Sequence, residues 1–115
     1  MRTISIGEKK IGIRATPLAL LFYKQEFNTD LVGDLMKMQN IQEDPTQFDS
    51  VIFLQIIWAM AKANEYGVRP FPPFFEWVSE LESFDCADSE LLETVMTEAV
   101  DGFFRGGNKP SPVSQ

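Results

Sequence analysis

The chain has 115 residues, of which 44% are hydrophobic and 23% are charged, a composition typical of one globular domain. Seventeen acidic and ten basic side chains give a formal net charge of −7, so the overall field repels phosphates and anionic lipid headgroups. We therefore expect the protein to bind neither nucleic acid nor a membrane surface.

Cysteine and histidine usage excludes several kinds of site. The chain has one cysteine, Cys86, and no histidine, so it forms no internal disulfide and no paired-thiolate zinc site. The usual general base near neutral pH is also missing, which excludes Ser-His and Cys-His catalysis. Asp85, Asp88 and Glu90 lack the spacing of a calcium-binding loop. The sequence thus predicts a non-enzymatic protein with no cofactor and no metal site.

Two features of the sequence predict a cytoplasmic protein. Residues 1–13 carry charges at four positions and have no apolar segment typical of a signal peptide. The longest strongly apolar run, residues 51–61, is shorter than the roughly 20 residues that a membrane helix needs. This run is instead typical of a buried helix.

The first 15 residues predict a β-hairpin. Residues 3–6 and 11–14 alternate in polarity at period two and flank a turn-like run, residues 7–10, that includes Gly7. The four isoleucines of the two segments are expected to share one face, which helices or further strands must cover. Self-association through the open strand edges would give a homo-oligomer, and this alternative stays open.

Residues 16–105 have helical spacing and predict about five helices. Thr16-Pro17 is typical of a helix start, with Thr as N-cap and Pro as the first helical residue. Thr46, followed by Asp49, resembles a capping box before a helix that is apolar on nearly every side over residues 51–63. Between these two helices, a second helix is predicted by the helical spacing of Leu31, Val32, Leu35 and Met36.

The last two helices follow a proline-rich segment. Pro70, Pro72 and Pro73 precede a fourth helix, and Asp88 or Ser89 caps a fifth. The stripe of the fourth helix consists of Phe74, Trp77, Val78 and Leu81.

These elements predict a mainly α (α+β) fold in a single globular domain over residues 1–106, with the hairpin in 1–15 and the helices in 16–105. Gly106-Gly107 is expected to end the last helix. Residues 107–115 lack a large apolar anchor except for a valine and are expected to form a flexible tail.

Several segments of the chain carry a family resemblance. They are Ile4-Ser5-Ile6-Gly7-Glu8-Lys9 with Ile13-Arg14, Thr16-Pro17-Leu18-Ala19-Leu20, Asp30-Leu31-Val32-Gly33-Asp34-Leu35, Ile56-Ile57-Trp58-Ala59-Met60 and Glu90-Leu91-Leu92-Glu93. With the order of a short hairpin followed by a small acidic helical domain, they resemble the tail assembly chaperones of long-tailed bacteriophages and prophages from Gram-positive hosts.

The resemblance implies a binding role in phage tail morphogenesis. Such a chaperone is not an enzyme. It binds the tape measure protein and the tail tube protein in the cytoplasm of the bacterial host, and it keeps the tape measure protein soluble until tube subunits polymerise around it. It is not retained in the mature virion.

The distribution of charge is compatible with a binding role. Residues 1–24 carry five basic and one acidic side chain, whereas residues 25–115 carry five basic and sixteen acidic ones. Nine carboxylates and no Lys or Arg lie in residues 76–101. They form either the solvated faces of two amphipathic helices or an acidic docking face for a basic partner, with Glu90 and Glu93 as candidate contacts.

Aromatic side chains are the other candidate contacts. Ten Phe, two Trp and two Tyr residues exceed what a core of this size easily encloses. Trp58 is predicted to lie in the core. Phe71 with Phe75 and Phe103 with Phe104 are either core residues or anchors for a partner.

A second function remains open at this point. A small acidic phage protein with these properties is also compatible with an inhibitor or DNA mimic that binds a host protein. Such a mimic is expected to arrange carboxylates along an exposed track at the phosphate spacing of DNA. A chaperone is expected to expose apolar side chains to its client instead.

Overall fold

The structure, a computed structural model, describes residues 1–38, 49–85 and 88–104. An N-terminal two-stranded antiparallel hairpin is followed by five helices, which confirms the predicted mainly α fold. The elements are β1 (Arg2–Ile6), β2 (Lys9–Ile13), α1 (Pro17–Phe27), α2 (Leu31–Met38), α3 (Ser50–Glu65), α4 (Phe74–Ser79) and α5 (Ser89–Phe104). The predicted Thr46 cap, the Gly106-Gly107 stop and the tail over 107–115 lie outside the described residues.

The hairpin turn is tighter than the sequence predicted. Gly7 has a φ of 62°, a left-handed conformation that glycine adopts without strain, and with Glu8 it closes a two-residue turn. Lys9 therefore pairs with Ile6 in the first rung of the ladder instead of lying in the turn. The predicted isoleucine face is confirmed by the register and by burial. It consists of Ile4, Ile6 and Ile13, which are buried, and Ile11, which is half-buried and packs on the core.

Helix α3 is the centre of the fold. It packs against α1, α2, α4 and β2, and its residues are buried on several sides. The buried side chains are Phe53, Ile56, Ile57, Trp58, Ala59, Met60, Ala61 and Ala63. Trp58 has no exposed surface, so its predicted place in the core is confirmed. A helix that is apolar nearly all round must be surrounded, and this requirement fixes the positions of the other elements.

Two helix starts show how short polar side chains set helix boundaries. Asp49 is itself the N-cap of α3, because its Oδ1 accepts hydrogen bonds from the backbone N–H groups of Val51 and Ile52. The predicted capping box, with Asp49 inside the helix, is therefore wrong. Asp88 caps α5 in the same way, and this agrees with one of the two predicted caps.

The first helix begins where the sequence predicted, without the expected side-chain bond. Thr16 occupies the N-cap position and Pro17 the first turn of α1, but the Thr16 hydroxyl makes no capping hydrogen bond. Its Oγ1 is buried and has no hydrogen-bond partner among the described residues. The restricted φ of Pro17 therefore supports this helix start in place of a side-chain cap.

A buried polar group joins the first three helices. The Tyr23 hydroxyl of α1 donates a hydrogen bond to Asp34 Oδ2 of α2 at 2.7 Å and lies 3.0 Å from Gln55 Oε1 of α3. Thr29 donates a second hydrogen bond to the same carboxylate oxygen at 3.1 Å. Burial, and then the bond to Asp34, raise the pKa of Tyr23 above its usual value. The predicted second helix is present as α2, which buries Leu31, Leu35 and Met38 and leaves Met36 55% exposed.

Helix α5 makes a close backbone contact with the segment that follows the hairpin. A Cβ atom added at Gly102 would overlap the carbonyl oxygen and the Cβ of Ala15. Helix α5 also packs against β1, so the hairpin lies between α5 and α3. Only a residue without a side chain fits at position 102.

Gly102→Ala is expected to lower the free energy of unfolding by about 2 kcal/mol or more, because the Ala15 backbone must move to admit the methyl group. Denaturant unfolding measures the effect. Gly33→Ala in α2 is the matched control, since its added Cβ meets only the Asp30 side chain, with Oδ2 at 3.5 Å and Cβ at 3.9 Å. The control is expected to preserve or raise stability, by up to about 1 kcal/mol. Equal stability of wild type and Gly102→Ala would contradict the close contact.

Candidate partner-binding surface

The proline-rich segment before α4 is fixed to the core by hydrogen bonds from two helices. Trp58 Nε1 of α3 donates to the carbonyl oxygen of Pro72 at 3.0 Å. The backbone N–H of Phe74 donates to Glu26 Oε2 of α1 at 2.8 Å, so a side chain 48 residues away satisfies the first turn of α4. Both bonds hold the start of α4 in one position.

Aromatic packing adds a second set of restraints on α4. The Phe74 ring lies edge-on to Phe27 with a centroid distance of 4.9 Å and stacks with Trp77 at 6.4 Å. Trp77 is 7% exposed, and Phe71 is half-buried with its ring 6.4 Å from that of Trp58. Edge-to-face pairs of this kind add stability beyond the area that they bury. The inner side of α4 is therefore part of the core.

Phe75 is different from its neighbours. Its side chain is 86% exposed, more than that of any other large apolar residue in the described part of the chain. Phe75 follows Phe74 directly and points away from the stripe that Phe74 and Trp77 bury. Of the first predicted aromatic pair, the structure thus places Phe71 against the core and Phe75 in solvent.

We use the name α4 face for the four exposed residues Phe75, Glu76, Ser79 and Glu80. The Ser79 hydroxyl donates to the carbonyl oxygen of Glu76 at 2.7 Å, so this side chain folds back on its own helix. Glu80 lies 3.7 Å from Lys9 Nζ, and both side chains are about half exposed. The α4 face therefore has one large apolar side chain beside two carboxylates.

The predicted acidic face on residues 76–101 is not uniform. Glu98 and Asp101 are buried and serve the fold, so the interpretation of this whole run as a solvated or docking face is wrong for these two. Glu90 and Glu93 are exposed on α5, as a docking role requires. No sequence pattern indicates this division, because a partner of the two buried carboxylates lies at the other end of the chain.

That partner is Arg2 of β1. Its Nη1 donates to Glu98 Oε1 at 2.5 Å and its Nη2 donates to Asp101 Oδ2 at 2.9 Å. The other oxygen of Glu98, Oε2, accepts the backbone N–H of Ala15 at 2.9 Å. The hydrogen bond to Glu98 is the largest cause of a raised pKa of Arg2. We call this group of Arg2, Ala15, Glu98 and Asp101 the hairpin clamp, because it joins both ends of the hairpin to α5.

The second aromatic pair lies at the end of α5. Phe103 is half-buried and packs on the core, and Phe104 is 45% exposed. Glu90 lies near the opposite end of the same helix, about 21 Å away at the helical rise of about 1.5 Å per residue. Helix α4 packs on α3, whereas α5 packs on β1. The six predicted contact residues therefore lie in two separate parts of the fold, two at α4 and four on α5.

Other kinds of site have little support in the described residues. An open groove of about 590 Å³ lies between residues 14–18 and residues 63–66, and the side chains that line it include no carboxylate and no thiol. No group of three or more potential metal ligands occurs within residues 1–38, 49–85 and 88–104. In the same ranges, no helix is both long and apolar enough to cross a membrane.

No protein-family model matches the chain, and no curated protein and no solved structure matches it significantly. The side chains of this chain are therefore the evidence for its function.

Arg2→Met is expected to lower the free energy of unfolding by about 2 kcal/mol or more, because it removes the guanidinium that binds the buried carboxylates of Glu98 and Asp101. Urea unfolding at neutral pH measures the change. Arg69→Met is the matched control, since Arg69 forms an exposed pair with Glu65 at 2.9 Å. The control is expected to unfold as the wild type does. Equal losses in both variants would contradict a structural role for the hairpin clamp.

Proposed function

We propose that this protein is a non-enzymatic phage tail assembly chaperone. In this role it binds the tape measure protein and the tail tube protein in the cytoplasm of the bacterial host during tail morphogenesis. It leaves before the virion is complete. The segments that resemble this family support the proposal, and these segments form the hairpin and parts of all the long helices.

The observation that carries the proposal is the exposure of Phe75. A phenyl ring that is 86% exposed on a helix fixed by Trp58 and Glu26 is a large apolar group attached to a backbone that is already ordered. A partner that buries this ring gains apolar contact area, and little conformational entropy is lost because the supporting helix is already ordered. These are the properties of an interface anchor.

The charge of the chain suits a chaperone that must stay soluble beside an apolar client. At a net charge of −7, copies that carry exposed apolar groups repel each other at a distance. The same charge speeds encounter with a basic client region, while apolar contacts supply most of the affinity. Recognition and solubility therefore come from different side chains.

The alternative, an acidic inhibitor or DNA mimic, is less well supported. Such a mimic needs a continuous exposed track of carboxylates. On α5 the burial of Glu98 and Asp101 removes two carboxylates from any such track. An exposed phenyl ring also has no counterpart in the phosphate backbone of DNA.

The proposal predicts that a tape measure protein is encoded beside this chain, and co-expression of the two tests it. We expect the tape measure protein to be insoluble alone and to co-elute with this chain as a soluble complex, because the chaperone covers its apolar segments. An unrelated acidic helical protein of similar size is the control. A tape measure protein that is equally insoluble with and without this chain would contradict the proposal, as would a chain that remains in purified virions.

A further inference from the structure

We infer that the α4 face docks a basic amphipathic α-helix, with Phe75 inserted between the side chains of that helix. This inference rests on the proposed binding role and specifies the chemistry of the partner. It is carried by the shape of the α4 face, by its rigidity and by the charges around Phe75.

The shape of the α4 face suits packing against another helix. Phe75 is its single large apolar side chain, and one turn further on Ser79 is small and hydrogen-bonded back to the Glu76 carbonyl. The α4 face therefore has a projecting aromatic ring, the knob, and a shallow depression one turn away at the small side chain of Ser79. Side chains spaced at three and four residues on a facing helix form a hole that accepts such a knob.

The rigidity of α4 favours a preformed site. Trp77 anchors the inner side of the helix in the core, and the Phe74 ring lies between Phe27 and Trp58, at 4.9 and 6.3 Å. Only the side-chain rotation of Phe75 itself remains to be restricted on binding. An aromatic side chain has two such torsions, so the entropic cost of fixing it is small.

The surroundings of Phe75 select a cationic partner. Residues 70–85 contain four carboxylates and no Lys or Arg. Arg69, just before this segment, is already paired with Glu65. The contact between Lys9 and Glu80 is long, at 3.7 Å, and both side chains are half exposed, so a partner cation can compete for Glu80. Lys or Arg beside the hole of the docked helix therefore complements Glu76 and Glu80.

The carboxylates around Phe75 also disfavour other kinds of partner at the α4 face. Anionic lipid headgroups and nucleic-acid phosphates are repelled by a segment whose only charged side chains are carboxylates. The α4 face is also a helical surface, which lacks the row of unpaired backbone groups that an added β-strand needs. A helix that is apolar on one side and basic on its flanks is attracted by these carboxylates. It also needs no backbone hydrogen bonds from the α4 face.

The test uses two synthetic peptides of about 20 residues, long enough to form a helix on binding. Both carry leucine along one face, and the flanks carry lysine in one peptide and glutamate in the other. Fluorescence anisotropy of labelled peptide measures binding to the wild-type chain and to Phe75→Ala, Glu76→Lys and Phe104→Ala. Phe104→Ala is the matched control, because it removes a second exposed aromatic ring, on α5. Unfolding midpoints establish that all the variants fold.

We expect the lysine peptide to bind and the glutamate peptide not to bind. Phe75→Ala is expected to weaken binding about tenfold or more, and Glu76→Lys several-fold, whereas Phe104→Ala has no effect. Equal binding of both peptides, no binding of either, or an unchanged affinity in Phe75→Ala overturns the inference. An effect of Phe104→Ala alone would move the docking surface to α5 and also overturn it.

The two proposals fail in different ways. If Phe75→Ala still keeps the tape measure protein soluble in co-expression, the chaperone role stands and docking through the α4 face is rejected. If the wild-type chain binds the lysine peptide through Phe75 but does not solubilise the tape measure protein, the docking surface stands and the chaperone role is rejected.

Discussion

The indole of Trp58 lies where the core meets the candidate binding surface. Its ring is fully buried, packs edge-on against Phe27 and Phe74, and donates its N–H to the carbonyl oxygen of Pro72. Without that acceptor the indole N–H would be buried with no hydrogen bond, and the fold would be destabilised by the cost of removing this group from water. The bond therefore fixes the path of the chain into α4, and that path leaves Phe75 outside. The hydrogen bond of the buried Trp58 to Pro72 thus also accounts for the exposure of Phe75.

Charge is divided between the fold and the surface. The hairpin clamp uses Arg2, Glu98 and Asp101 to hold β1 on α5, and a second oxygen of Glu98 accepts the N–H of Ala15. Removing the cation from a carboxylate as buried as that of Glu98 is strongly destabilising. The carboxylates at the α4 face and at Glu90 and Glu93 are exposed instead. The net charge of −7 counts every carboxylate of the chain, including the buried Glu98 and Asp101. A partner that approaches α5 therefore meets fewer negative charges than the sequence of this helix contains.

Local patterns predicted much of this fold. The isoleucine alternation, the all-round apolar helix with Trp58, and an Asp88 cap each depend on neighbours in sequence, and the structure has all three. The position of Phe75 one residue off the apolar stripe was the signal for its exposure. The contacts of Arg2 with α5 and of Glu26 with α4 span 96 and 48 residues. No local pattern encodes such pairs, because a carboxylate on a helix looks the same in sequence whether it faces water or a distant cation.

Contacts with the core hold α4 rigid, so Phe75 projects into solvent from a fixed backbone. Backbone ¹⁵N relaxation measures this rigidity. We expect amides 74–79 to have order parameters equal to those of α3, near the value of about 0.85 that is typical of rigid backbone. We also expect Trp58→Phe, which keeps an aromatic ring but loses the N–H, to lower the values in α4 more than those in α5. Low order parameters for α4 in the wild type, or equal changes in both helices, would contradict a rigid α4 held by Trp58.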